Sequence, residues 1–408
     1  MQKRLSLKQN TILNSVGSLF YLVCQWLVSV LAVRLGSYDD GGMYSLALSI
    51  TNVFLSLSTF AIRHYQVSDT HSVYSPSRYF TTRVLTCALG LAACTAFTLV
   101  NRQYTAAQSA CIIFYMGFRL TEAMVDSFAA EQQKAWRMDH ICVSFLLRGA
   151  LTLAGFASVM LLTGSLPLAL AVMAMLSMLV VVCHDARIVR RMTGFRFDFN
   201  LQESMALLKE TLPLMLSSMM MTLLTTIPRY MLERSAGSEV LGVYGAIATP
   251  AVIVQAGCSF IYSPLVAPLS EAYHEGRIGE FRRTILRAIE TIAALTVLML
   301  IGASLLGRWG LQLLFGESIL EHAWLLIPVL LTSLCAAMVY FFDVPLTIMR
   351  RLKTMACIHA VAIVMTIVLS ALLIPRMGMA GVNLVMYICA GGDALAMGIA
   401  TFLISRKV

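Results

Sequence analysis

Three ionisable side chains lie inside the fourth apolar segment of the chain, roughly residues 106–130. Arg119, Glu122 and Asp126 are separated by three and then four residues, which places all three on one face of a helix. At the centre of a bilayer each such charge costs about 2.5–3.5 kcal/mol, so a helix facing lipid would not carry three of them. We therefore expect this face to contact protein or a water-filled cavity.

Arg148, in the next apolar segment, is the predicted counterpart of these charges. With a rise of about 1.5 Å per residue, Glu122 and Arg148 both lie about 10–12 Å from the same end of their helices, so an ion pair between them is feasible. One interpretation is a buried ion pair that only fixes helix packing. The other is a cationic site for a phosphate, in which Glu122 and Asp126 tune Arg119 and Arg148.

Polar stripes at helical spacing run along three of the apolar segments. They comprise Ser45, Ser49, Asn52, Ser56, Thr59 and Arg63 in the second, Asn14, Ser18, Gln25 and Ser29 in the first, and Ser218, Thr222, Thr225 and Arg229 in the seventh. Serine and threonine are favoured where membrane helices pack closely, which is one explanation. Three stripes at equivalent points of two halves favour a hydrated central cavity, with Asn52 and Arg63 among its lining residues.

Two further carboxylates lie in the last third of the chain. Asp393 is in the middle of the twelfth apolar segment, beside Gly391 and Gly392. An acid at this depth is a candidate for proton or sodium coupling, and a buried, hydrogen-bonded carboxylate is the alternative. Asp343 lies near the end of the tenth segment and is expected to be solvated. The seven histidines lie mostly at segment edges and show no metal-ligand spacing.

Composition identifies an integral membrane protein. Of 408 residues, 59% are hydrophobic and only 12% are charged, whereas soluble domains are about 25% charged. The net charge of +9 is scattered between apolar runs, so nucleic-acid binding is not indicated. The ten cysteines form no CxxC pair, and we predict neither a disulfide framework, a metal site nor a cofactor. The first apolar stretch resembles a retained helix rather than a cleaved signal peptide.

Twelve segments are long and apolar enough to cross a bilayer. They are approximately 11–33, 43–62, 82–100, 106–130, 141–162, 166–184, 211–232, 241–262, 285–306, 322–342, 355–374 and 379–403. We predict an all-α polytopic membrane protein with two six-helix lobes, residues 1–184 and 211–408, joined by a linker at 185–210. The seventh and eighth segments are the weakest, because Pro213, Pro228 and Pro250 interrupt them.

The basic residues set the predicted orientation. With both termini cytoplasmic, 22 of the 30 lysines and arginines fall in inside segments and six fall outside. Such a bias on short loops predicts cytoplasmic termini. The basic linker and the loop after the eighth segment are expected either to rest on the anionic leaflet or to be ordinary inside residues.

A short repeat links the two halves. Arg34, Gly42 and Tyr44 follow the first segment, and Arg, Gly and Tyr recur 200 residues later, after the seventh. Both copies fall on the predicted outside, which indicates parallel repeats about an axis along the membrane normal. Transporters built from such repeats place substrate between the halves and alternate access by rocking them.

Several stretches carry a resemblance to a known family. They are YMGFRLTEAMVD at 115–126, EQQK at 131–134, RMD at 137–139, residues 144–149, GMYSLALS at 42–49, SPLVAPLS at 263–270, IPRMG at 374–378 and RHYQVSD at 63–69. The sequence resembles the Wzx-type polysaccharide flippases of the multidrug/oligosaccharidyl-lipid/polysaccharide (MOP) exporter superfamily. Only the fourth-to-fifth-segment stretch is fairly specific.

That resemblance implies a MATE-like fold around a cationic cavity and a function. The function is movement of undecaprenyl-pyrophosphate-linked oligosaccharide from the cytoplasmic to the outer leaflet of the bacterial inner membrane, for O-antigen-like surface polysaccharide. Arg119, Glu122, Asp126 and Arg148 carry over as cavity residues, and Arg63 more weakly. Expected partners are the lipid-linked oligosaccharide, membrane lipids, a coupling proton or sodium ion and a polysaccharide polymerase.

Two other functions compete with a flippase. A cation-coupled drug exporter of the same superfamily would share the fold but usually needs an apolar cavity, and the arginine-bearing segment argues against it. A polymerase or glycosyltransferase should show a large outside loop or a DxD-type metal motif, and the sequence has neither. We therefore predict a transporter and not an enzyme.

Overall fold

The computed structural model describes residues 5–68, 74–196, 200–251, 258 and 265–406. In this part of the chain every regular element is a helix. Large apolar side chains on the helix surfaces are exposed, as at Leu161 and Leu162, with 70% and 84% of their area accessible. Nine of the described helices are long and apolar enough to cross a membrane. The predicted all-α, multi-pass membrane fold is confirmed.

The chain divides into two compact units, Met1–Met219 and Met220–Val408, which we call unit 1 and unit 2. The helices that begin in unit 1 are α1 (Leu7–Leu31), α2 (Tyr38–Thr59), α3 (Ile62–Ser68), α4 (Pro76–Val100), α5 (Ala106–Lys134), α6 (Met138–Thr163), α7 (Leu166–Val180), α8 (Ala186–Thr193) and α9 (Leu201–Ala236). Those of unit 2 are α10 (Ser238–Ala248), α11 (Val266–His274), α12 (Ile278–Phe315), α13 (Leu326–Ile348), α14 (Leu352–Met377) and α15 (Met379–Ile404).

A described helix overlaps each of the twelve predicted segments and in most cases extends beyond its bounds, but the structure does not confirm all twelve as membrane spans. The eighth is described as a helix only over Ser238–Ala248, and most of its remainder, 252–257 and 259–262, lies outside the described residues, as does 263–264 of the resemblance stretch. Two long helices, α2 and α5, are absent from the nine that meet the apolar criterion. They carry the polar stripe and the charged triad, so the same residues that weaken their membrane signal build the candidate site.

The predicted interruption of the seventh segment is wrong. Helix α9 runs continuously over Leu201–Ala236, through Pro213 and Pro228. Its first half packs against unit 1, where Leu207 and Met215 contact Phe60. Helix α9 contains both the end of the predicted linker and the predicted seventh segment. The boundary between the units therefore falls inside this helix, after the predicted linker.

The repeat is visible in the local structure of both units. Helix α2 begins at Tyr38 and α10 at Ser238, again 200 residues apart. In unit 1 the buried Tyr44 hydroxyl lies 3.4 Å from that of Tyr115, and in unit 2 the buried Tyr244 hydroxyl donates to Asn383 Oδ1 at 2.9 Å. Each repeated tyrosine thus fastens the second span of its unit to a later helix of that unit.

A sharp break separates α2 from α3, and the sequence gives no sign of it. Phe60 and Ala61 both adopt left-handed backbone conformations, with φ of 48° and 51°. Residues other than glycine pay roughly 1–2 kcal/mol each for that conformation. The break frees the carbonyls of Ser58 and Thr59, and both accept hydrogen bonds from the Arg83 guanidinium of α4.

Candidate functional site

Helix α5 brings together charged and polar side chains from six other helices of unit 1, namely α1, α2, α3, α4, α6 and α7. The capping box at its start, in which Thr105 and Gln108 satisfy each other's backbone amides, fixes where the helix begins. From that start, the three-plus-four spacing directs Arg119, Glu122 and Asp126 to one side, as predicted. The structure divides them into two groups, one around Arg119 and Glu122 and one around Asp126.

Arg119 forms the first group with Glu122 and with Asn52 of α2. One guanidinium nitrogen donates to Glu122 Oε2 and the other to Asn52 Oδ1. The guanidinium carbon also lies 5.4 Å from the centre of the Tyr115 ring, within cation–π range. Arg119 Nε has no hydrogen-bond partner among the described residues. The side chain is 16% exposed, so the guanidinium can exchange partners without leaving its place.

Arg148 of α6 is fully buried and is held by hydroxyl groups. Its Nε donates to Ser177 Oγ at 3.0 Å, and one terminal nitrogen donates to Tyr21 Oη at 3.2 Å and, more weakly, to Thr121 Oγ1 at 3.4 Å. These groups are neutral, so no carboxylate neutralises Arg148 directly. A buried cation satisfied by hydroxyls keeps its full charge for an incoming anion.

The predicted direct ion pair between Glu122 and Arg148 is not formed. The hydroxyl of Tyr21, on α1, stands between them: it accepts from Arg148 and donates to Glu122 Oε1 at 2.6 Å. Glu122 and Arg148 are close enough to share the Tyr21 hydroxyl, as their similar predicted depths require. The ion-pair partner of Glu122 is nevertheless Arg119, on the same helix. The Tyr21 hydroxyl connects Glu122 and Arg148 without adding charge. Two guanidiniums and one carboxylate therefore leave a net charge of +1 on this group.

Asp126 forms the second group with two arginines. It accepts from Arg63 of α3 at 3.0 Å and from Arg83 of α4 at 3.1 Å. The second terminal nitrogen of Arg63 donates to Gln133 at 3.1 Å. Arg63 and Asp126 are 36% and 26% exposed, whereas Arg83 is completely buried. Two guanidiniums on one carboxylate again give net charge +1.

Sequence reasoning did not find Arg83, because it counted this arginine among the inside basic residues. Its main partners are backbone carbonyls at the break after α2, which no side-chain pattern announces. Sequence reasoning also did not find Tyr21 or Ser177. Their signal was available only as single polar atoms in apolar helices, which are common where helices pack.

The polar stripe of the second segment makes two kinds of hydrogen bond, to the backbone of α2 and to charged side chains of α5. Ser56 and Thr59 donate to backbone carbonyls of their own helix. Among the stripe residues, Asn52 and Arg63 carry hydrogen bonds to the charged side chains of α5. In α1, Gln25 donates to Thr152 at 3.3 Å, a contact between helices. Asn52 and Arg63 are therefore the residues of the second-segment stripe that join the charged groups, and the hydrated cavity stays a prediction.

Unit 2 has no equivalent of this cationic site among its described residues. Where α13 would match Arg119 and Glu122 it carries buried Ala336 and Val339. Its ionisable groups are instead Asp343, Asp393 and His359. Asp343 was expected to be solvated and is not: its side chain is 18% exposed and lies 3.1 Å from His359 Nε2. Asp393 also contacts this histidine, so both carboxylates belong to one buried group.

The described residues contain no group of three histidine, cysteine or acidic side chains that could hold a metal ion. All ten cysteines are free thiols. Among the described residues, the ionisable side chains of the unit 1 site are arginines and carboxylates, and its other donors are hydroxyl and amide groups.

Comparisons with known proteins bear on the family and the fold of the chain. The sequence model of a family described as "Polysaccharide biosynthesis protein" matches residues 7–274. Capsular polysaccharide biosynthesis protein CapF of Staphylococcus aureus is 24% identical over 378 residues, which cover 90% of this chain and 92% of CapF.

Solved structures with a similar fold are transporters. Lipid II flippase MurJ, in an inward closed conformation, matches with a TM-score of 0.73 and 13% identity over 97% of this chain and 88% of its own. The Vibrio cholerae MATE transporter VcmN matches with a TM-score of 0.66 and 13% identity over 98% and 97% of the two chains. At this identity the likeness concerns the fold alone, and the predicted MATE-like fold is confirmed.

Proposed function

The chain belongs to the polysaccharide biosynthesis protein family, and from this premise we propose that it moves an undecaprenyl-pyrophosphate-linked oligosaccharide across the membrane. The direction is from the cytoplasmic to the outer leaflet of the bacterial inner membrane, with both termini cytoplasmic. The family and its structural neighbours are transporters rather than enzymes, so the step is movement and not bond making.

The observation that carries this proposal is the uncompensated pair Arg119 and Arg148. Arg119 pairs with Glu122, whereas Arg148 reaches that carboxylate only through the Tyr21 hydroxyl, at a depth where a lone charge costs several kcal/mol. A structural ion pair would not need the second arginine. A pyrophosphate supplies the missing negative charge, and arginine binds phosphate oxygens in the planar, two-point geometry that this group favours.

The contacts of Arg119 indicate how a phosphate would be received and released. In the absence of substrate, Glu122 and Asn52 hold the guanidinium, and Tyr21 holds Glu122. An arriving phosphate takes the place of Glu122 on Arg119, while the carboxylate keeps its bond to Tyr21. The carboxylate reclaims the arginine when the substrate leaves, so neither state leaves a bare charge in the membrane.

Arg63 and Asp126 lie where a substrate phosphate entering from the cytoplasm would arrive before it reaches Arg119. Asp126 follows Glu122 by one helical turn, about 6 Å along α5 toward the predicted cytoplasmic end. Arg63 is the most exposed arginine of the two groups, and it already shares its carboxylate with Arg83. It therefore has charge to offer a phosphate entering from the cytoplasm, while Asn52 and neighbouring hydroxyls suit the sugar and the prenyl chain stays in lipid.

A cation-coupled drug exporter of the same superfamily is the second candidate, since MATE transporters share the fold. The cargo of such an exporter is generally cationic or apolar. The net positive charge of the arginine groups in unit 1 repels a cationic molecule and does not stabilise an apolar one. Loss of the gene separates the two functions. A flippase defect makes lipid-linked oligosaccharide accumulate on the inner leaflet, and an exporter defect raises drug sensitivity with normal surface polysaccharide.

The residue-level test uses Arg119→Ala in cells that depend on this protein for surface polysaccharide. We expect normal amounts of folded protein, no surface polysaccharide and accumulated lipid-linked precursor. Arg102→Ala is the matched control, because Arg102 is an exposed arginine of unit 1 outside both groups. Full polysaccharide synthesis by Arg119→Ala would overturn the proposal.

A further inference from the structure

Unit 2 holds a buried group of three ionisable side chains, one on each of its last three helices. His359 of α14 lies between two carboxylates: its Nδ1 is 2.9 Å from Asp393 Oδ2 on α15, and its Nε2 is 3.1 Å from Asp343 Oδ1 on α13. The side chains of His359 and Asp393 are completely buried. Both ring nitrogens of the histidine are thereby committed to acidic partners.

The geometry defines the charge of this group. An ionised carboxylate can only accept, so with both acids ionised both ring nitrogens must donate, which makes the ring an imidazolium. One positive and two negative charges leave a net charge of −1. A net charge buried in an apolar interior is unfavourable unless something neutralises it. The group is therefore one positive charge short of neutrality.

Asp393 retains the capacity to accept that charge. Its Oδ1 atom is buried and has no hydrogen-bond partner among the described residues. Asp393 also borders a cavity of about 370 Å³ between α14 and α15. Among the described residues of the cavity wall it is the one charged side chain, and the others are apolar side chains, a glycine and the thiols of Cys357 and Cys389.

The surroundings select a proton over a metal cation. A hard cation takes about six oxygen ligands, and the cavity wall offers side-chain oxygens only from Asp393. Histidine nitrogens are poor ligands for such ions, and His359 has both nitrogens occupied. A proton needs a single oxygen. Among the described residues that line the cavity, the titratable groups are Asp393, Cys357 and Cys389, and Asp343 joins the group through His359.

We propose that His359, Asp343 and Asp393 form a binding site for one exchangeable proton, taken up on the Asp393 carboxylate. The bound proton converts the carboxylate into a carboxylic acid and the net charge of the group from −1 to zero. This inference rests on the proposed flippase function for its purpose, since the proton would be the coupling ion that drives transport.

Protonation changes the contact between the helices. The neutral acid is a weaker acceptor for His359 Nδ1 than the carboxylate, so the bond that joins α14 to α15 weakens when the proton binds. The bond from His359 to Asp343 of α13 keeps its charge-assisted character. Binding of one proton therefore weakens the hydrogen bond between α14 and α15 relative to the bond between α14 and α13. Both bonds lie within unit 2.

Histidine-selective ¹⁵N NMR of the full chain in lipid nanodiscs tests the site without any substrate. His359→Gln assigns the resonances of His359 among the seven histidines. We expect both ring nitrogens to carry protons at neutral pH, and a further protonation step on acidification to shift their resonances. In Asp393→Asn this step is absent, and in Asp343→Asn, which starts neutral, it moves to lower pH.

Three results would overturn the proposal. They are a neutral His359 ring at neutral pH, a protonation step unchanged in Asp393→Asn, and a saturable shift with sodium that potassium does not produce at constant pH. Gly391→Ala is the control, because a methyl group there makes only an ordinary 3.5 Å contact with Cys335 Sγ and Gly391 lies outside the cavity wall. The titration needs no flipping, so inactive Arg119→Ala protein with a normal His359 titration separates the two sites.

Discussion

Units 1 and 2 place charge of opposite sign in the membrane. Unit 1 carries two arginine groups, each with one carboxylate, and unit 2 carries one histidine between two carboxylates. The repeat that relates the halves preserves helix starts and a buried tyrosine but not these charges. The difference indicates a division of labour: unit 1 is suited to a phosphate and unit 2 to a proton.

Among the substitutions that test this difference between the units, removal of Arg148 should reduce flipping most. Arg148→Ala leaves unit 1 with no net charge at the Arg119 group, so we expect flipping to fall by at least about 100-fold, the equivalent of roughly 2.7 kcal/mol. Arg148→Lys should retain only part of the activity, because one ammonium cannot span both Ser177 and Tyr21. The measurement is lipid-linked oligosaccharide flipping in proteoliposomes.

A matched thermal melt keeps this result interpretable. Arg148 is buried, so Arg148→Ala could lower stability as well as activity. We expect the purified variant to melt cooperatively above the assay temperature. Wild-type flipping by Arg148→Ala would remove the functional contrast between the two units.

Asp393→Asn should change coupling rather than substrate binding. Wild-type flipping should accelerate when the outer side is acidic, because the proton is taken up there and released inside. The variant cannot gain the proton on residue 393, so its rate should no longer depend on the imposed pH gradient. Proteoliposomes with imposed pH gradients measure this. An Asp393→Asn rate that still follows the gradient as wild type does would show that the proton site is elsewhere.

Within unit 1, Arg83 and Arg63 should separate stability from transport. Arg83→Met removes a completely buried guanidinium from Asp126 and from two backbone carbonyls, and should lower the free energy of unfolding by about 3–5 kcal/mol. Arg63→Ala breaks a partly exposed pair and should cost about 0–1 kcal/mol while still slowing flipping. Thermal unfolding in detergent compares them. Equal melting temperatures for the two variants would contradict the structural role of Arg83.

Tyr21→Phe should give the smallest effect. It removes the hydroxyl between Arg148 and Glu122 and leaves the ring that stacks on Phe145. The lost bonds are worth about 0.5–1.5 kcal/mol, so we expect roughly a two- to tenfold slower rate with an unchanged pH profile. A changed pH profile in Tyr21→Phe would mean that unit 1 also takes part in proton binding.

The sequence predicted those parts of the site that lie on one helix. Intramembrane spacing placed Arg119, Glu122 and Asp126 on one face of α5, because helical periodicity is a local property. Depth counting brought Arg148 to the level of Glu122 but could not supply Tyr21, whose hydroxyl comes from α1. Contacts between helices depend on packing that no single stretch encodes.

His359 shows the same limit from the other side. It lies inside the eleventh predicted span, yet it was grouped with histidines at span edges, and Asp343 was assigned to solvent. Asking whether three intramembrane ionisable residues of one half could pair would have suggested the group. The break after α2 had no such signal, since Phe60 and Ala61 adopt a conformation that their residue types disfavour.

The most direct test of the central claim is binding of undecaprenyl pyrophosphate, without sugar, to the purified protein. We predict that wild type and Arg102→Ala bind it more tightly than undecaprenol, and that Arg119→Ala and Arg148→Ala lose this preference. Because the two ligands differ only in the phosphates, the preference measures the cationic groups of unit 1. Equal preference for the pyrophosphate in all four proteins would contradict the account.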